Sequence, residues 1–498
     1  MSEWKMYKLG KIAAFRTGKL NSNAEIPNGD YPFFTCSPTT LRINQYAFDC
    51  EALLLAGNNA EGNFSLKYYN GKFNAYQRTY VITIPDTNII QYKYLYYSLI
   101  LKIDELKNNS VGSATKFLTM PIINDIDLIA PSLPTQTQIA QILTSFDDKI
   151  ELLGQMNQTL ETMAQTIFKE WFVDFNFPGF DGEMVGGMPK GWRKEAIDKN
   201  IEFLNGLALQ KFPPLDENDY LPVIKIREMR QGISNSSDMA STQISEKYII
   251  EDGDILFSWS GSLDVVLWCG GKGALNQHLF KVTSVKYPKW FYYHWTKCFL
   301  PMYQSIASDK ATTMGHIQRK HLTESLINIP DFEVLSKGND ILEPIIDKIT
   351  NNSIQIQNLT QLRDTLLPKL MSGAVRVDGH SSVFSGDNLD TVAISDKLSN
   401  ESTPSTENLR DTLLPKLMGG EVRVDGHSSV FSGDNLDRVD LSGDLVSHKS
   451  TPSTENLRDT LLPNELSYNE STPSTENLRD TLLPNELRPN ESTQSTEK

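Results

Sequence analysis

The sequence contains no apolar run long enough to span a bilayer, which needs about 20 consecutive apolar residues. Its 498 residues are 39% hydrophobic and 22% charged, the composition of a globular protein too long for one ordinary domain. Behind Met1 it lacks the basic and then apolar blocks of a secretory leader, so a cytoplasmic protein with no membrane partner is expected. Cysteine is scarce. Cys36, Cys50, Cys269 and Cys298 are scattered without CxxC spacing, which excludes a zinc ribbon or a disulfide frame. They read as reduced, mostly buried thiols, and no metal site is expected. The phosphate-binding pattern G-x-x-x-x-G-K-[ST] is missing. So is the Asn/Asp-Pro-Pro-Tyr/Phe tetrad with which amino-methyltransferases hold a flipped base, and Phe212-Pro213-Pro214-Leu215 is no substitute. Asp147-Asp148-Lys149 has the D-x-K ending of a nuclease metal site but no upstream Pro-Asp, and it reads as a helix face. Gly270-Gly271-Lys272-Gly273 reads as a turn between strands. No catalytic residue is assigned, and the chain is expected to be non-catalytic by itself.

The net charge of −15 argues at first sight against a nucleic-acid partner, because phosphates need Lys and Arg. Its distribution removes the objection. Residues 377–498 hold 10 Lys+Arg against 22 Asp+Glu, leaving 37 against 40 for residues 1–376. The body is therefore nearly neutral, and local basic loops on it can still meet DNA.

Two repeats of different age follow. In the tail, Leu362 to Met371 recurs almost verbatim as Leu409 to Met418, and a Ser-Thr-Pro-Ser-Thr-Glu-Asn-Leu-Arg-Asp block begins at Ser402, Ser450 and Ser471. Near-identity in segments rich in Ser, Thr, Pro, Asn and Asp indicates recent duplication and too little apolar surface for a core, so 377–498 reads as an acidic, disordered tail. The older repeat spans the body. Trp4, Leu9, Phe15 and Gly18 match Trp192, Ile197, Phe203 and Gly206 at an offset of 188. Later the offset is 199: Pro131 with Pro330, Asp148-Lys149-Ile150 with Asp347-Lys348-Ile349, and Leu160, Met163 and Ile167 with Leu359, Leu362 and Leu366. One net insertion in the second half reconciles the two registers.

Each copy runs from strand-rich sequence, such as Tyr80–Ile84 and Asp254–Trp259, into a long helix. Leu153, Met156, Leu160, Met163 and Ile167 are spaced 3, 4, 3 and 4, the seam of a coiled coil, and Ile139, Ile142, Phe146 and Ile150 extend it upstream. Ile345, Ile349, Ile356, Leu359, Leu362 and Leu366 form the matching stripe, interrupted by Asn352. The two stripes are expected to pack against each other. A first helix over roughly 136–172 would be about 55 Å long. Two similar modules on such a strut suit successive major grooves of DNA, which repeats every ~34 Å.

Pro131-Ser132-Leu133-Pro134-Thr135-Gln136-Thr137-Gln138-Ile139-Ala140-Gln141-Ile142-Leu143 and Phe146-Asp147-Asp148-Lys149-Ile150-Glu151 resemble the central conserved region of type I restriction-modification specificity subunits. Ile167-Phe168-Lys169-Glu170-Trp171-Phe172-Val173-Asp174-Phe175 and Met188-Pro189-Lys190-Gly191-Trp192 resemble the opening of that family's second target-recognition domain. Gly112 to Leu118 and Thr312 to Ile317 look like its loops before each domain's last strand, and Ala274 to Phe280 is also similar. The resemblance covers about 1–376; the tail departs from the family pattern. It implies an α+β chain with target-recognition domains at 1–131 and 180–331. Conserved helices at 132–179 and 332–376 would form an antiparallel coiled coil in a pseudo-twofold repeat, followed by the disordered tail at 377–498. It also implies that each domain reads one half of a bipartite, asymmetric double-stranded DNA target. The helices would set the gap and dock methyltransferase subunits, two in number, with restriction-translocase subunits joining through the complex. S-adenosylmethionine, ATP and Mg2+ would belong to those partners. A duplicated coiled-coil interaction scaffold and a methylation-only system remain open from sequence.

Reading DNA needs Lys or Arg for phosphates and polar side chains for base edges. Candidates in the first domain are Lys19, Arg78, Ser113, Thr115 and Lys116. In the second they are Arg227, Arg230, Ser258, Ser260, Gln277, His278, Lys310, Thr312, Arg319 and Lys320.

Overall fold

The computed structural model describes residues 4–216, 219–309 and 315–377. The acidic repeats from 378 onward, and Lys310 and Thr312, lie outside the described residues.

In the first domain Lys5–Lys8 pairs antiparallel with Asp127–Ala130, joining the two ends of the domain. Between them lies a six-stranded sheet in the order Ala14–Thr17, Thr79–Thr83, Phe48–Ala56, Leu66–Ala75, Tyr31–Phe34, Leu41–Ile43. All its pairings are antiparallel except Phe33 beside Asn74 and Phe34 beside Ala75. The Ala52-Leu53-Leu54-Leu55 run is apolar throughout because both faces of the sheet are covered. Successive side chains alternate: Leu53 and Leu55 join a core with Ile82, Tyr94 and Leu95, whereas Ala52 and Leu54 join Phe34, Phe73 and Val81 on the other side.

The second domain repeats this plan. Arg193–Ala196 pairs with Leu326–Ile329, the same two strands carried along by 188 and 199 residues. Glu202–Asn205, Leu279–Thr283, Ile255–Ser258 and Asp264–Leu267 then follow in the equivalent order, and Leu221–Ile224 runs parallel to Gly273–Leu275 as Tyr31–Phe34 does to Leu66–Ala75. One difference is local. The ten-residue strand Leu66–Ala75 has become two, Asp264–Leu267 and Gly273–Leu275, so one six-stranded sheet is replaced by two of four strands. Gly271 at φ +80 makes the intervening turn, with its N–H bonded to Asp252 and Lys272 paired with Glu251. A carboxylate already sits where a phosphate would, so this segment is a strand connection. The matched glycines also have a cause. A Cβ on Gly18 would stand 1.7 Å from the Ala75 carbonyl oxygen, and one on Gly206 2.2 Å from that of Asn276. Both sites need backbone-to-backbone approach that any side chain forbids.

The central helix, Leu133–Phe168, is 36 residues, about 54 Å at 1.5 Å per residue. The distal helix, Phe332–Met371, is capped by the Asp331 carboxylate, which accepts from the Val334 N–H. They pack antiparallel: Phe168 and Phe172 lie with Leu342, Asn157 bonds Asn352, Asp147 bonds Arg363, and Ile139 and Leu143 lie with Leu367 and Leu370. The middle of the seam buries Phe146, Leu153 and Leu359 among Ile142, Ile150, Ile356, Leu362 and Leu366, and Ile349 is buried about two turns before Ile356. The ends enter the domain cores. Leu367, Leu370 and Met371 complete the first core, while Ala164, Phe168 and Phe172 complete the second, with Ile167 against it.

Two expected seam residues are corrected. Met156 and Met163 are 37% and 48% exposed, and Leu160 is only half-buried. The buried positions in this stretch are Leu153, Ala164 and Phe168, with Asn157 half-buried between them, and they follow the 3.6-residue period of a straight helix. The methionines follow 3.5 residues, a period that stays on one seam only when helices supercoil over several heptads. Here the free seam is short before each helix enters a domain. The cysteines also differ from expectation: Cys269 is buried, but Cys36 and Cys50 are half-buried and Cys298 is exposed. Asp147 is engaged by two protein donors. It accepts from the Tyr97 hydroxyl at 2.6 Å and from Arg363 at 2.7 Å, a clamp between the first domain and both helices.

Candidate nucleic-acid interface

At one end of each sheet, where the outer strand stops at Thr17 or Asn205 and the central strand at Ala56 or Ser258, three backbone segments meet in the same frame. In the first domain the Gly57 N–H donates to the Arg78 carbonyl at 2.8 Å, the Leu118 N–H donates to the Gly57 carbonyl at 2.9 Å, and Asn58 pairs with Phe117. In the second, Trp259 donates to His278 at 3.4 Å, Ile317 donates to Trp259 at 3.0 Å, and Ser260 pairs with His316. The looser bond at Trp259 has a steric reason: a Cβ on Gly57 would approach the Arg78 carbonyl oxygen to 2.4 Å.

On the first frame the Arg78 guanidinium lies over the Phe117 ring at 5.2 Å, and the Cys36 thiol donates to the Asn58 side-chain oxygen at 3.0 Å. Beneath it the Tyr80 hydroxyl donates to the Leu118 carbonyl at 2.9 Å, and burial raises its pKa, so it stays a donor. Lys19 borders the site, because the Gln77 N–H bonds the Leu20 carbonyl and the Gln77 amide bonds Asn21. Lys116 stands in the short strand facing Asn59, with Ser113 exposed and Thr115 half-buried in the loop before it. The structure thus gathers Lys19, Arg78, Ser113, Thr115 and Lys116 at one sheet end. Among the described residues none of its three cations has a carboxylate within ion-pair range.

On the second frame His278 Nδ1 bonds the Ser260 hydroxyl at 3.0 Å, and its ring tilts against Trp259 at 5.9 Å. Trp259 in turn donates from its indole to Asn205, and the Gln277 amide reaches His278 Nε2 at 3.3 Å. Arg319 stacks over Phe280 and bonds the Phe203 carbonyl, and Lys320 is exposed beside it.

Three candidates belong elsewhere. Ser258 is fully buried, its hydroxyl donating to the Ser262 carbonyl and accepting from the Asp264 N–H, so it shapes the turn and cannot reach a phosphate. Arg227 is fixed by a two-nitrogen contact to Glu228 and by the Ser236 carbonyl. Arg230 faces Asp264 at 3.7 Å, so it is not a free cation, although it lines a cavity with Gly261 and Gly315 at the border of the second frame. Sequence reasoning did not choose Asn58, Phe117 or His316 as site residues, although Phe117 and His316 fall in the two loops that resemble the family's and share the 199-residue offset.

A family model described as the type I restriction modification DNA specificity domain matches residues 1–162 and again 189–361. The chain belongs to this family. It is 28% identical over 443 residues to the type I restriction enzyme EcoDI specificity subunit of Escherichia coli, covering 81% of this chain and 96% of that one. It is also 28% identical over 312 residues to the MjaIX specificity subunit of Methanocaldococcus jannaschii, covering 59% of this chain and 71% of that one. The crystal structure of a type I restriction-modification S subunit from M. genitalium shares the fold. Its TM-score is 0.52, its identity 14%, and the match covers 76% of this chain and 97% of that one. The two matched stretches of the specificity family are the two sheet-bearing halves, each with most of its long helix. Among the described residues no group of His, Cys, Asp and Glu is placed to hold a metal, and no helix is long and apolar enough to cross a membrane.

Proposed function

We propose that this specificity-family chain gives a type I restriction-modification complex its sequence preference, each domain reading one half of a bipartite, asymmetric target. The observation that carries this reading is the repetition of one sheet-end frame on two domains whose cores are bridged by the same antiparallel helices. Reversal of helix direction relates the readers by an approximate two-fold, the geometry that suits two half-sites on successive turns of a duplex. Unpaired cations at each sheet end supply phosphate contacts, and polar side chains between them supply base contacts.

The central helix also carries the apolar side chains of Leu152, Met156 and Met163, which are 50%, 37% and 48% exposed. They fit docking of methyltransferase subunits, with restriction-translocase subunits joining through the assembly. Methyl transfer and cleavage then belong to those partners in the cytoplasm, as do S-adenosylmethionine, ATP and Mg2+. Co-expression with the methyltransferase subunit and methylome sequencing tests this. The expected result is a two-part motif with a fixed gap. A complex without salt-dependent DNA affinity, or with a continuous motif, would refute it.

A further inference from the structure

The two frames have the same backbone and different cargo. Position 78 corresponds to 278, 58 to 260 and 117 to 316, because the same three backbone contacts link them in each domain. Gln77 and Gln277 precede the first pair and are the same residue. Arg78 and His278 are not, nor are Asn58 and Ser260, or Phe117 and His316. A difference between the half-sites therefore has its clearest structural origin at these positions.

We propose that Arg78 and His278 are the specificity-determining residues of the two domains, and that Arg78 selects a guanine. This rests on the chain's reading DNA through both sheet ends. The Arg78 carbonyl is locked by Gly57, and its guanidinium sits over the Phe117 ring, 5.2 Å from the centroid, at an exposed position with no competing carboxylate among the described residues. A guanidinium held against a ring loses less rotamer freedom on binding than a free one, and its fork matches guanine O6 and N7 in the major groove. Lys19 and Lys116 stand on neighbouring segments of the same sheet end and serve the phosphates. His278 hangs from the same backbone position but is shorter, and its Nδ1 is already occupied by Ser260. It presents one ring nitrogen beside the Gln277 amide, so it cannot make the two-pronged contact, and the second half-site carries no guanine read from this position.

The test uses the full chain in complex with its methyltransferase, with motif discovery by methylome sequencing and binding to DNA libraries. Arg78→Ala is expected to make one G·C position of one half-site degenerate, with about a 5- to 150-fold loss of discrimination there, and to leave the other half-site unchanged. Arg78→Lys keeps the charge, loses the fork, and is expected to relax the same position. The combined graft Ser260→Asn, His278→Arg, His316→Phe is expected to bring a guanine preference into the other half-site. If the wild-type complex has no gapped motif, the DNA-reading function itself fails. If the motif is present but both Arg78 variants keep every position, or weaken all sequences uniformly with the complex assembled, Arg78 is not a base reader and this proposal is overturned.

Discussion

Asn157 and Asn352 offer a sharp test of how the strut is held. Asn352 is 1% exposed and donates to the Asn157 side-chain oxygen at 2.9 Å. Asn157 donates in turn to the Ser353 hydroxyl at 2.9 Å and toward the Ile349 carbonyl at 3.3 Å. Asn352→Leu leaves the oxygen of the half-buried Asn157 without its partner at the helix seam. A buried polar group so orphaned costs about 1–3 kcal/mol. Asn157→Leu orphans the Asn352 amide at similar cost. Replacing both removes the unsatisfied groups together, so the double variant should return close to wild type, with a coupling of about 1–3 kcal/mol in the double-mutant cycle. Thermal unfolding of the full chain reads this, at roughly 2–4 °C per kcal/mol for domains of 150–250 residues and less for a longer chain. The gap in the DNA motif should stay unchanged in all three variants. Register here is set where Phe168 and Leu370 enter opposite domain cores, not by the polar pair alone. Additive single costs, or a gap that shifts in the double variant, would refute the reasoning.

Inserting seven residues in register into the middle of both helices should lengthen the gap by about 3 base pairs, since two helical turns rise about 10 Å against about 3.4 Å per base pair. Methylome sequencing should return both half-sites unaltered. Burial holds the His294 imidazole at a pKa of about 4 against an ordinary 6.5, with Glu161 opposing and Lys297 adding to the shift. The unfolded chain therefore binds a proton between these values that the folded chain excludes. Stability should be full above pH 6.5 and fall by about 3 kcal/mol as the pH drops toward 4. His294→Leu should flatten that slope in denaturant titrations, and an unchanged slope would count against it. Removing residues 378–498 should leave target methylation intact, because both cores close at or before Val377; loss of complex assembly would overturn this.

Most of the fold was legible because an ancient duplication left two constant offsets. The 188-residue offset places Arg193–Ala196 opposite Lys5–Lys8, and the 199-residue offset places Leu326–Ile329 opposite Asp127–Ala130, so each pair of end strands is specified twice. Gly18 and Gly206 were visible as a match, though not the carbonyl that excludes a side chain from each. What escaped was decided by packing rather than pattern. Met156 and Met163 satisfy a heptad on paper but lie off a straight helix's buried stripe. Ser258 has the residue type of a phosphate ligand, and only the turn through Ser262 and Asp264 shows that its hydroxyl is taken. The reading frame was hardest to see, since Arg78 and His278, or Phe117 and His316, share no chemistry. Their equivalence lies in backbone hydrogen bonds that no residue type announces.

The routing of the distal helix explains why such a chain can hold two readers at a fixed separation. That helix starts in the second domain, where Val334, Leu342 and Ile346 are core, and ends in the first, where Leu367, Leu370 and Met371 are core. The central helix makes the reverse journey with Ile139 and Leu143 at one end and Ala164 and Phe168 at the other. Neither domain can therefore complete its interior without the far end of a helix that the other domain starts. A single connecting helix could bend or fray and let the readers drift. Two antiparallel helices, each buried at both ends, joined to each other by Asp147 and Arg363 near one end and with Glu161 of the central helix paired to Lys297 of the second domain near the other, convert drift into loss of core packing. On the proposed reading of DNA by the two domains, separation then follows helix length, and base choice follows what the two frames carry. Gap and half-sites can change independently because different parts of the fold determine them.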